Sequence, residues 1–177
     1  MLFIVYAILM SSCHPTMPFQ NTSLIEWNAG RKLTWNDFKG EVPRNSTVAA
    51  LTSTAINIDF GYYNESLRFH IRCRFDKEAS WGRIKNDYIL SHEQGHFDIA
   101  EIYARKLNAA LKNYTTTPDR VKKDVNEIYQ DLMQQHNDRQ DLYDQETNFS
   151  KDQKQQQLWL QEIAVELKAL QDHANYR

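Results

Sequence analysis

Within the stretch ILSHEQGHFDIAEIYARKL, Ile89 to Leu107, two histidines stand four residues apart with a glutamate directly after the first. On a helix, His92 and His96 are one turn and about 40° of rotation apart, so both imidazoles can reach one ion. Glu93 is offset by roughly 100°, clear of the ligand positions yet able to lean over a water in the open coordination site. This is the geometry of a zinc ion that lowers the pKa of its water toward about 7 while a carboxylate base takes the proton. Hydrolysis is the chemistry it performs. The competing reading is coincidence on an exposed helix. With this chain's own His and Glu frequencies, a shuffled sequence would show His-Glu-x-x-His in about one case in a hundred. The apolar flanks Ile89, Leu90, Phe97 and Ile99 place the motif mid-helix against a core, which favours the metal.

A catalytic zinc takes a third protein ligand, and the same helix supplies none easily. Glu101 lies nine residues past His92, about 180° around and about 13 Å along the axis. Asp98 also points away, so both read as solvated or supporting groups. The richest later segment is HNDRQDLYDQET, His136 to Thr147. There His136, Gln140 and Asp144 share one helical face at four-residue steps. Asp144 is the favoured third ligand, with Glu146 and His136 in reserve; the plain alternative is that Asp144 ends a helix or pairs with a surface lysine. Tyr143 could donate to a tetrahedral oxyanion, and could equally belong to the core.

These residues need elements to hold them. Thr54, Ile56, Ile58 and Phe60 alternate with more polar neighbours as in a half-buried strand, which Gly61 and the polar Asn-Glu-Ser break. Leu67, Phe69, Ile71, Cys73 and Phe75 alternate again, with His70 on the outward, surface side, so the two strands form an antiparallel hairpin. Upstream, LTWNDFKGEVP, Leu33 to Pro43, reads as an irregular entry segment with Trp35 and Phe38 turned inward. Beyond Trp81 the composition turns to helix formers, with helices expected over 86–112, 118–143 and 151–174. The fold class is α+β: a small antiparallel sheet followed by a three-helix half carrying the histidine helix.

The chain has 177 residues, room for one domain with a hydrophobic core. With 41% hydrophobic and 25% charged residues and a formal charge of -2, it has the balance of a globular protein and no electrostatic footprint for nucleic acid. The opening run MLFIVYAILM is too short to cross a bilayer and suits a signal-peptide core. The following MSSC, ending at Cys13, resembles a lipobox. The expected organisation is a signal peptide with lipobox cysteine over 1–13, a tether over 14–24 and a single domain over 25–177. An acylated Cys13 would anchor the protein to a bacterial membrane and leave Cys73 with no disulfide partner.

LTWNDFKGEVP, LSHEQGHFDIAE, and YDQET followed by QQQLW together resemble a bacterial family of predicted secreted Zn-dependent proteases, catalogued as a domain of unknown function. The resemblance implies Zn2+, His92 and His96 as ligands, Glu93 as catalytic acid/base, an export signal and a zincin-like domain. One position departs: the family pattern carries a histidine two residues past the threonine of Tyr-Asp-x-x-Thr, where this chain has Phe149. The expected function is zinc-dependent peptide-bond hydrolysis in the cell envelope by a monomer acting on a peptide or protein substrate. The alternative is a catalytically impaired envelope module that binds a partner.

Overall fold

The computed structural model describes residues 23–176. The expected signal peptide, Cys13 and nearly all of the tether lie outside the described residues. Leu24, expected as the end of the tether, already belongs to a strand.

The central sheet has three antiparallel strands in the order β1-β4-β3: β1 (Leu24–Glu26), β3 (Thr54–Tyr63) and β4 (Ser66–Asp76). The hairpin pairs from Thr54 opposite Phe75 to Tyr63 opposite Ser66. The strand does not break at Gly61. It runs on to Asn64 and Glu65, whose φ values of 50° and 60° form the left-handed two-residue turn that matches strand twist. Alternation holds as expected, with Ile71, Cys73 and Phe75 fully buried and His70 exposed. A second, two-stranded sheet joins β2 (Ala50–Leu51) to β5 (Trp81–Gly82).

Three helices follow, α1 (Asp87–Lys112), α2 (Val121–Glu146) and α3 (Gln153–Ala169). The Asn86 side chain caps α1 by accepting from Ile89 N at 2.8 Å. Asp152 caps α3 in the same way through Gln155 N. The Thr-rich link before Pro118 separates α1 from α2. α1 is the hub, packing on β3 and β4 and on both other helices. Its middle is buried on nearly every side, as a helix enclosed in a core must be. Several polar groups enclosed with it are paired with one another or with neighbouring elements. Glu101 and Arg105 form an ion pair, and Arg105 also donates to Leu167 O. Asp98 accepts from Trp27 Nε1 at 2.7 Å and from Gln94 at 2.9 Å. Of the two readings their helix positions left open, Asp98 and Glu101 are buried supporting groups and not solvated ones. No helix among the described residues is long and apolar enough to cross a membrane.

α1 and α2 approach closely at one point. A Cβ on Gly95 would stand 2.5 Å from the Tyr143 hydroxyl oxygen and 2.9 Å from its ring. Tyr143 is fully buried and cannot swing aside. Replacing helical Gly with Ala ordinarily gains up to about 1 kcal/mol. Here overpacking outweighs that, and Gly95→Ala should lose about 1–2 kcal/mol net in urea denaturation.

Candidate metal centre

α1 carries His92 and His96 into the wall of a cavity of about 450 Å³, and α2 brings Asp144 to the same point. His92 Nε2 lies 3.0 Å from Asp144 Oδ1, His96 Nε2 lies 3.2 Å from the same oxygen, and the two Nε2 atoms are 3.2 Å apart. Donors held 2.0–2.1 Å from a tetrahedral centre stand about 3.3–3.4 Å from one another, so this triangle fits one small cation. Two imidazoles and a carboxylate, with the cavity on the open side, are the donor set of a site that keeps one coordination position free. His92 is almost wholly buried, while Asp144 is about one-third exposed.

Neighbours fix each donor. His92 stacks on the Tyr143 ring at 4.5 Å, and His96 meets the same ring edge-on at 4.9 Å. The Tyr143 hydroxyl donates to the His92 main-chain carbonyl at 3.3 Å, and Thr147 Oγ1 donates to Tyr143 O at 2.6 Å. Tyr143 thus lies behind the histidines and does not line the cavity. The geometry gives it a packing role in place of the expected oxyanion contact. His96 Nδ1 meets Gln140 Oε1 at 2.6 Å, and His92 Nδ1 is enclosed beside Gln156.

Of the reserve ligands, His136 lines the cavity and contacts Gln140 rather than the three donors. Glu146 faces away, accepting from Trp159 Nε1 at 2.8 Å. Glu93 is buried in the cavity wall, and its Oε2 has no hydrogen-bond partner among the described residues. Burial raises its pKa, with Thr52 and His96 acting in the opposite direction. Residues Val48 to Thr54, including β2, form the facing wall, and Phe149 stands at the rim. Sequence reasoning passed over this wall, because two strand residues show no period. Gln156 was also missed as a group at the site, although it lies in the QQQLW motif.

Burial opposes ionisation of Asp144, but its contacts with His92 and His96 prevail and hold its carboxyl far below the usual range. Burial lowers the His92 pKa. For His96, burial is outweighed by the Asp144 contact and by the charges of Glu93 and Asp144, so its pKa is raised. Protons compete with a cation for Nε2, and a raised His96 pKa moves that competition to higher pH. Zinc affinity measured by competition with a chromophoric chelator should therefore fall as the pH is lowered, with the decline setting in above the ordinary imidazole pKa of roughly 6.5. Zinc at about a hundred times Kd should stabilise the protein by about 2.7 kcal/mol. Asp144→Ala should abolish most of that gain, as read by thermal melts with and without zinc.

A comparison with curated proteins and one with solved structures gave no match. A family model matches residues 20–151, a span containing His92, Glu93, His96 and Asp144. That span is well over half of the chain, which therefore belongs to the family described as a bacterial protein of unknown function (DUF922).

Proposed function

We propose that this protein is a zinc-dependent peptide hydrolase of the cell envelope, with His92, His96 and Asp144 as metal ligands and Glu93 as general base. The observation carrying this reading is the 3.0–3.2 Å triangle of donors in the same cavity wall as a buried carboxylate with a free oxygen. When bound, the ion supplies Lewis acidity to a water and to the substrate carbonyl.

The chain's own residues do the rest. Glu93 Oε2 accepts the proton of the attacking water and returns it to the departing amine, and enclosure strengthens its basicity. Tyr143 holds both imidazoles in place from behind. β2 pairs with β5 on one edge and lines the cavity, so an extended peptide can add along it by main-chain hydrogen bonds. Leu51 and Phe149, both large and about two-fifths exposed at this cavity, offer apolar contact to its side chains. The envelope location rests on the N-terminal apolar run and Cys13 alone.

Phe149 favours a second reading. It stands at the cavity rim where the family pattern has a histidine, and its ring can neither ligate nor donate. A catalytically impaired module would hold zinc and cleave nothing across a broad peptide library. For the hydrolase, Glu93→Gln should keep stoichiometric zinc and lose about 10²–10⁴-fold in kcat on a fluorogenic peptide library. Unchanged turnover in that variant would sink the assignment of Glu93.

A further inference from the structure

Gln140 has three contacts. Its Nε2 lies 3.0 Å from the His96 main-chain carbonyl and 2.9 Å from His136 Nε2, and its Oε1 lies 2.6 Å from His96 Nδ1. A carbonyl oxygen only accepts, so the amide NH2 must face it and the amide oxygen must face Nδ1. Nδ1 therefore carries a proton, and in the neutral ring the lone pair lies on Nε2, toward His92 and Asp144. On the other side, His136 Nδ1 lies 3.1 Å from Asn137 Oδ1. A proton on that nitrogen leaves His136 Nε2 as the acceptor for the second Gln140 N–H. Each member of the chain fixes the next.

We infer that Gln140, held in one amide orientation by the His96 main-chain carbonyl and braced by His136, is the positioning residue that sets the tautomer and the ring orientation of His96 for the cation. His136 thereby acts through Gln140 and is not a ligand. The inference rests on the metal reading proposed above. His136, Gln140 and Asp144 sit at successive turns of α2, so one helical face supplies a ligand, the group orienting a second ligand and the group orienting that one. The partner on Nδ1 is a neutral amide rather than a carboxylate, so it orients the ring without adding negative charge next to the site.

The test is a double-mutant cycle on the full chain, reading zinc affinity by chelator competition and the slowly exchanging His96 Nδ1–H proton by NMR of the zinc-loaded protein. Gln140→Met should weaken zinc about 10–100-fold and abolish the Nδ1–H resonance, while circular dichroism stays unchanged. His136→Phe should weaken zinc less, and the double variant should be no worse than Gln140→Met alone. Should Gln140→Met not fold, Gln140→Asn, one methylene too short to span both contacts, is expected to show the same loss. Wild-type affinity and an intact Nδ1–H signal in the Gln140 variants would overturn the inference while leaving the metal reading standing. Additive losses, with His136→Phe at least as damaging as Gln140→Met, would overturn it by making His136 a ligand. A wild-type chain that binds no zinc would overturn both.

Discussion

The notch that Gly95 leaves in α1, filled by the Tyr143 ring from α2, governs the geometry of the whole site. Any side chain at residue 95 would push the tyrosine away. With the ring seated, its face lies on His92, its edge meets His96, and its hydroxyl is tied to α1 main chain. The next residue along α2 is then Asp144, delivered to within 3.2 Å of both Nε2 atoms. A contact that concerns only packing thus determines whether two helices far apart in sequence share a coordination point.

The same enclosure sets the chemistry. Two nitrogen lone pairs and an ionised oxygen crowded at 3.0–3.2 Å repel one another unless a positive charge lies among them. In the metal-free protein, a proton on His96 can supply that charge, and its raised pKa reflects this. A divalent cation held there would supply more charge and leave a proton on Nδ1 alone. Glu93 completes the imbalance, because a buried carboxyl oxygen without a donor is costly and awaits a group from the cavity. Unlike the Glu101–Arg105 pair deeper in α1, it is not internally satisfied.

Much of this was legible in the sequence. Long helices with a 3.6-residue period and side-chain caps announce themselves, and α1 begins within a residue of where Asn86 suggested. In α2 the apolar spacing of Val121, Val125, Ile128 and Leu132 gives out after Met133. That break marks where His136, Gln140 and Asp144 replace core residues on the inward face. What stayed hidden depends on tertiary contact. Strands of two or three residues, β1, β2 and β5, show no period. Nothing local tells whether Tyr143 faces the cavity or the core, since the answer lies in a glycine 48 positions away. Whether Asp98 and Glu101 were solvated or supporting could not be read locally, because Trp27 and Tyr176, which bond them, come from opposite ends of the chain.

The link from α2 to α3 shows how far the constraint reaches. Asn148, Phe149 and Ser150 all adopt left-handed φ values, 48°, 53° and 62°, and none is glycine. Each such residue costs roughly 1–2 kcal/mol, so the stretch persists only because its surroundings over-determine it. Thr147 is the pivot: its side chain bonds back to Tyr143 O, and its carbonyl accepts from Lys151 N and Asp152 N. Phe149 N bonds to Asp144 O at 2.7 Å, so the turn is fastened to the residue that supplies the carboxylate. Reversing the chain this tightly brings α3 back across the site, with Trp159 5.3 Å from the Tyr143 ring and Gln156 beside His92. A relaxed, longer link would free Asp144 at one end and Gln156 at the other. The strained turn therefore belongs to the same device as the Gly95 notch, one fixing where α2 meets α1 and the other fixing how α3 closes over both.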